Sequence, residues 1–238
     1  MNGRALRPLA AAGLVLLALG AGSRAAGDDF MPQRKAMIAR LRQHGITKPE
    51  VLAAMQHVPR HLFVPDAVQA EAYSDKPLEV GQGRTIYQPY VVALMTSLLE
   101  LERGDKVLEV GTGSGYHAAV LSRIGGEVYS MEIVAPVARQ AAKKLGILGY
   151  KNVHIRVGDG YQGWPDQGPF DAILLSAAPP TIPKPLLKQL KVGGKMVAPV
   201  GGFFQDLQVI TKTADGIETR AIIPVRLSPM TGKVRDGQ

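Results

Sequence analysis

Residues 107–116 read Val-Leu-Glu-Val-Gly-Thr-Gly-Ser-Gly-Tyr, and their types and spacing are those of a ligand-binding turn. The apolar run makes a strand, and Tyr116 opens a helix. Gly111, Gly113 and Gly115 let the backbone turn sharply and approach a ligand where a Cβ would clash. Thr112 and Ser114 lie between them. The spacing is GxGxG, which departs from the GxGxxG of dinucleotide sites. Glu109, at the end of the strand, would repel a pyrophosphate but attract a cationic amino group. Together these features point to a ligand with an adenosine end and an amino-acid end, as in S-adenosylmethionine. The alternative is a tight strand–helix turn that binds nothing.

A second acid extends the pattern. Residues 126–132 read as the next parallel strand and end in Glu132. An acid roughly twenty residues beyond such a turn can accept both ribose hydroxyls. Each such charge-assisted bond contributes about 1.5–3 kcal/mol. Standing alone, Glu132 would be equally well read as a solvated acid. Three further segments carry polar or small residues near strand ends. Asp159 and Gly160 follow a strand, and Asp159 is placed either to accept from an adenine amino group or to make a plain turn. Residues 176–180, Ser-Ala-Ala-Pro-Pro, either leave room for a substrate or form a rigid connection. Residues 81–90, Gly-Gln-Gly-Arg-Thr-Ile-Tyr-Gln-Pro-Tyr, combine a pliant backbone with polar side chains before a helix, as in a lid or substrate loop.

The elements that must position these residues follow from periodicity. Residues 34–57 predict two short helices broken at Gly45, with Pro49 in a first turn. Pro59, Pro65 and Pro77 mark an irregular stretch. Pro89 opens a helix with apolar Val92, Leu94, Met95, Leu98 and Leu99. Strands are then predicted at 106–110, 127–131, 153–157, 170–175 and 194–199, and helices at 116–123, 134–146 and 183–190. This alternation predicts an α/β fold with a doubly wound, mainly parallel sheet. Residues 206–213 and 217–227 flank an Ala-Asp-Gly turn and predict an antiparallel hairpin at one edge.

Composition narrows the function classes. Arg4 and Arg7, an apolar run over residues 9–22, and Ser23-Arg-Ala25 match a secretory signal. The run is shorter than the roughly 20 residues of a membrane span. Removing residues 1–25 takes away Arg4, Arg7 and Arg24 and no acid, so the formal charge falls from +8 to +5. The expected organisation is a signal peptide over 1–25, an N-terminal helical extension over 26–80 and a ligand-binding domain over 81–238. The basic residues are scattered rather than striped with aromatics, which argues against nucleic acid as a partner. There is no cysteine, and five dispersed histidines offer no zinc spacing. No metal is expected.

The chain resembles the protein-L-isoaspartate O-methyltransferase family from about residue 34 to residue 234. The glycine motif alone is shared by many S-adenosylmethionine-dependent methyltransferases. More specific are residues 81–90, the Gly-Asp-Gly-Tyr-Gln-Gly-Trp run at 158–164, Phe170-Asp-Ala-Ile with residues 177–180, and Pro-Val-Arg-Leu-Ser-Pro-Met-Thr-Gly at 224–232. The resemblance implies methyl transfer from S-adenosylmethionine to the α-carboxylate of L-isoaspartyl residues. The ester then closes to a succinimide, whose hydrolysis restores some normal aspartate. Such chemistry needs no general base or metal, only alignment and exclusion of water.

The residues expected to bind the cofactor are Glu109, Gly111, Thr112, Gly113, Ser114, Gly115, Glu132, Asp159 and Gly160, and the resemblance places catalysis at Tyr87, Thr85 and Gln88. One departure stands out. The family pattern Thr-Ile-Ser-Gln-Pro becomes Thr85-Ile-Tyr-Gln-Pro here, so Tyr87 replaces the serine usually assigned to the active site. Its hydroxyl is expected to reach the substrate carboxylate or a bridging water while the ring closes the pocket. A blocked pocket is the contrary reading. A methyltransferase for another carboxylate or small molecule, and a non-catalytic S-adenosylmethionine binder, remain as alternatives. The expected partners are isoaspartyl proteins or peptides, and the expected state is a monomer without stable membrane association after signal cleavage. The signal-like start predicts the periplasm or secretion, whereas the family alone implies the cytoplasm.

Overall fold

The computed structural model describes residues 30–235, so the signal-like segment lies outside the described residues. Helices α1 (Met31–Gln43) and α2 (Pro49–His57) come first, and the chain reverses between them at Gly45, whose φ is +87°. Short 3-10 turns follow at Arg60–Phe63 and Asp66–Glu71. Strands β1 (Leu78–Gly81) and β2 (Arg84–Ile86) then pair antiparallel. The segment expected to be a loop is therefore partly a small hairpin. Its strands are three and four residues long, too short for alternation to show in the sequence.

Helix α3 (Pro89–Leu99) leads to the main sheet. In chain order come β3 (Val107–Val110), α4 (Tyr116–Leu121), β4 (Val128–Glu132), α5 (Ala135–Ile147), β5 (Val153–Val157), β6 (Phe170–Leu175), α6 (Lys184–Gln189), β7 (Leu190–Gly201), β8 (Gln205–Lys212) and β9 (Ile217–Val225). The sheet order is β5-β4-β3-β6-β7-β8-β9. Strands β3 to β7 run parallel, and β8 pairs antiparallel with both β7 and β9. The predicted doubly wound sheet and terminal hairpin are thus present. β7 begins four residues earlier than the periodicity indicated.

All four residues of β3 are buried, as befits a central parallel strand covered on both faces. Val107 faces a core built with α1 to α4, whereas Leu108 and Val110 face a second core with Phe170, Leu186 and Met230. Burying each such aliphatic side chain contributes about 1.5–3 kcal/mol. The order reverses between β3 and β6, which opens a crevice beyond their carboxyl ends. Among the described residues, no helix is long and apolar enough to cross a membrane.

The chain after β9 returns across this crevice. Ala178 donates to the Ser228 carbonyl at 2.8 Å, and Met230 donates to the Ala178 carbonyl at 2.7 Å. The buried Gln205 side chain reads both backbone groups of Leu227, at 3.1 and 2.8 Å. Gln205→Ala leaves that pair unsatisfied and is expected to cost about 2–3 kcal/mol. Urea denaturation measures the loss, and trypsin should then cut faster at Arg226.

Candidate active site

The glycine turn leaves β3 at Gly111, whose φ is +101°. Gly111 and Thr112 both donate to the Met131 carbonyl, at 2.8 and 3.2 Å, which folds the turn over the end of β4. A Cβ at Gly111 would lie 3.3 Å from Ser176 Cβ, so the turn and the loop after β6 need that small residue to meet. Gly160 is tighter: its Cβ would fall 2.3 Å from Val110 Cγ1.

Glu132 ends β4 and is 3% exposed. Its Oε2 accepts from Gly113 N at 3.0 Å, and its Oε1 accepts from Val134 N at 3.1 Å and from Arg84 Nη2 at 3.1 Å. The carboxylate therefore joins the glycine turn, the entry to α5 and the β1–β2 hairpin. Arg84 was passed over in the sequence because a basic residue in a polar loop is ordinarily solvated.

Glu109 is placed differently from its expected role. It is fully buried beside Ser130, its register neighbour on β4, and does not line the cavities shared by Arg84 and Glu132 at the strand ends. Thr112 donates to Ser130 at 2.6 Å, and Ser130 donates to Glu109 Oε2 at 2.5 Å. Glu109 Oε1 has no partner. Burial, reinforced by the charge of Glu132, pushes its carboxyl up to about 8. At neutral pH Glu109 is thus a largely neutral acid under the turn, not a charged group reaching for an ammonium. Asp159 also differs. Its Oδ1 caps Tyr161 N at 2.9 Å and its Oδ2 accepts from Lys233 N at 2.7 Å, so it ties down the C-terminal segment.

The substrate-side residues meet on one cavity of about 80 Å³. Thr85 and Tyr87 line it with Ser176, Ala177, Ser228 and His117, together with Arg84, Glu132, Gly111, Thr112, Gly113 and Ser114. Gly115 and Gln88 stand outside that lining; Gln88 instead caps α3, its carbonyl accepting from Val92 N at 3.3 Å. The Tyr87 hydroxyl donates to the Ser176 carbonyl at 2.6 Å and accepts from Ser228 N at 3.3 Å. The hydroxyl expected to meet substrate is therefore committed to the backbone of two loops, and burial raises its pKa. From behind, fully buried Arg60 donates to the Tyr87 carbonyl at 2.6 Å and to the Ala72 carbonyl at 2.7 Å. Its guanidinium lies 4.8 Å from the Tyr116 ring centroid.

His117 was also missed. Thr96 donates its hydroxyl to the Val92 carbonyl at 2.7 Å, so it can only accept from His117 Nε2 at 2.9 Å. This assigns the ring proton to Nε2 and leaves Nδ1 a bare acceptor with no partner. Burial, helped by the Arg60 charge, lowers the ring to about 3, which keeps it neutral.

The parallel sheet, the glycine turn and the buried acid one strand away define the class of S-adenosylmethionine-dependent methyltransferases. The family Protein-L-isoaspartate(D-aspartate) O-methyltransferase matches residues 32–235. A Picosynechococcus protein-L-isoaspartate O-methyltransferase is 51% identical, covering 86% of this chain and 93% of its own. A Cupriavidus necator protein-L-isoaspartate O-methyltransferase 1 is 47% identical over 97% of this chain and 93% of its own. A solved protein-L-isoaspartate O-methyltransferase superposes with a TM-score of 0.79 at 28% identity, covering 84% of this chain and 67% of that one. A Plasmodium falciparum chain in complex with S-adenosyl-L-homocysteine shares the fold at a TM-score of 0.72 and 24% identity, over 83% of this chain and 98% of that one. This chain belongs to the protein-L-isoaspartate(D-aspartate) O-methyltransferase family.

Two buried groups that titrate between the acid range and pH 8, His117 and Glu109, make opposite contributions to stability. His117 ionises near 6.5 when unfolded and about 3 when folded, so the unfolded state binds more protons and stability falls as pH drops below 6.5. Glu109 ionises near 4.5 when unfolded and about 8 when folded, so the unfolded state binds fewer protons and stability falls as pH rises from 4.5 to 8. Of the two, only Glu109 acts above 6.5. Urea midpoints taken at about pH 6.5 and about pH 8 should decline in the wild type and decline less in Glu109→Gln.

Proposed function

We infer that this chain methylates the α-carboxylate of L-isoaspartyl residues in damaged proteins or peptides, with S-adenosylmethionine as donor, and so initiates repair through a succinimide. The observation that carries this reading is convergence. The glycine turn, buried Glu132 and the Thr85–Tyr87 hairpin face one crevice in a chain matched by the family over residues 32–235. The residues fit the cofactor. Glu132 keeps acceptor capacity at a strand end, and Gly111 and Gly160 let the loops around the crevice pack against Ser176 and Val110 where a Cβ would crowd them.

When bound, S-adenosylmethionine supplies a sulfonium methyl group, so an oxygen–carbon bond forms while the electrons of the breaking carbon–sulfur bond stay on sulfur. The chain's own contribution is positional. Glu132 would hold the ribose, and the side-chain-free backbone at Gly111 and Gly113 of the glycine turn would line the amino-acid end. Thr85 and the unpartnered Ser176 hydroxyl remain to orient the substrate carboxylate. Tyr87 braces this arrangement. Its ring fills the space beside Ser176, and its hydroxyl holds the C-terminal segment over the crevice and excludes water.

Labelled methyl transfer to matched peptides tests the reading: L-isoaspartyl peptide should be methylated and L-aspartyl peptide should not. Tyr87→Phe separates bracing from direct contact. As a brace, its loss should lower stability by about 1–3 kcal/mol and methylation several-fold together. A hydroxyl that only touched substrate would reduce methylation and leave the urea midpoint in place.

Location is read from residues 1–25. Their basic start, apolar run and small residues before Ala26 support export, with the mature chain periplasmic or secreted and without stable membrane association. Mass spectrometry of the natural protein should find the mature N-terminus near Ala26. An intact Met1 form confined to the cytosol would overturn export.

A further inference from the structure

Arg84 stands between the two halves of the site. It lies on β2, and its guanidinium reaches Glu132 at 3.1 Å, with side-chain exposures of 27% and 4%. It borders three cavities: the 80 Å³ space shared with Tyr87 and Ser176, a space of about 50 Å³ beside Glu132 and Gly160, and an apolar one of about 580 Å³ against α5. Its Nε is buried without a partner, and so is the Ser176 hydroxyl on the same 80 Å³ cavity.

Counting acceptor sites on Glu132 shows a conflict. A carboxylate offers about four lone-pair positions. Gly113 N, Val134 N and Arg84 take three of them. Two ribose hydroxyls need two positions, and the two backbone donors are fixed by the turn and the entry to α5. Arg84 is the donor that can leave. Its Nε and the Ser176 hydroxyl then offer unused donors on the cavity lined by Thr85 and Tyr87.

We propose that Arg84 is the substrate-carboxylate residue of this chain, held by Glu132 while the cofactor site is empty and released to the isoaspartyl α-carboxylate once Glu132 accepts the ribose hydroxyls. The planar guanidinium fork suits a carboxylate and keeps it ionised and oriented for transfer. The exchange also imposes an order, cofactor before peptide. The proposal rests on the isoaspartyl reading above and adds the residue that recognises the substrate.

Two measurements on the full chain test it. Calorimetry with S-adenosylhomocysteine reads the competition, and peptide kinetics read the carboxylate. Arg84→Gln should bind S-adenosylhomocysteine roughly three- to tenfold tighter and raise the isoaspartyl peptide KM roughly ten- to hundredfold. Arg84→Lys keeps the charge without the fork and should recover part of the KM. In the wild type, peptide binding should be detectable only with S-adenosylhomocysteine present. Weaker S-adenosylhomocysteine binding by Arg84→Gln would make Arg84 a cofactor residue and overturn the proposal. Unchanged peptide KM would reduce the ion pair to a hairpin fastening and overturn it equally. A wild type that binds S-adenosylhomocysteine but ignores the isoaspartyl peptide would overturn the reading of function itself, a different failure from methylation that Arg84→Gln leaves untouched.

Discussion

Glu132 is a carboxylate at 3% exposure, and a buried carboxylate must be surrounded by donors or neutralised. Here three donors from three parts of the chain meet it: the amide of the glycine turn, the amide that opens α5 and the guanidinium of the β1–β2 hairpin. Satisfying one charge therefore sets the turn against β4, directs the following helix, and draws an otherwise peripheral hairpin over the strand ends. The crevice exists because the sheet order reverses beside β3. Its contents are organised because this carboxylate needs partners.

A second set of constraints closes the crevice from the other side. Tyr87 joins the loop after β6 to the C-terminal segment at Ser228, Asp159 anchors that segment again at Lys233, and Arg60 holds the Tyr87 carbonyl from within the core. Most of these bonds end on backbone groups. They tolerate variation in the side chains along the loops while keeping the path of the chain constant. That suits an enzyme whose substrate is already a nucleophile, because alignment and dryness are what the protein must supply. It also gives Tyr87 a different task from the serine of the family pattern. The ring carries the hydroxyl to the backbone of the loop after β6 and of the C-terminal segment.

Beneath the turn, Thr112, Ser130 and Glu109 form a hydrogen-bonded line from the ligand side into the sheet. Its inner end is a carboxyl kept largely protonated by burial. The line supports the turn from below, and Glu132, not Glu109, meets the crevice as a charge.

What the sequence determined by itself was everything governed by local rules. Alternating apolar runs marked five parallel strands and their helices, prolines and Gly45 marked where helices start and stop, and the glycine spacing marked the turn that meets Glu132 beyond the strand ends. These depend on residues a few positions apart. Tertiary structure decided the rest. The partners of the Tyr87 hydroxyl come from 89 and 141 positions away, and the partner of Arg84 from 48. Whether Glu109 is a charged ligand or a neutral acid depends on burial, which no neighbouring residue announces. Asp159 follows a strand, where it could accept from an adenine amino group or make a plain turn, and the returning chain supplies a donor to it. A side chain's type limits the bonds it can make. Only the packing of distant segments settles which of them it does make, because a buried donor or acceptor bonds to whatever the fold brings within about 3 Å.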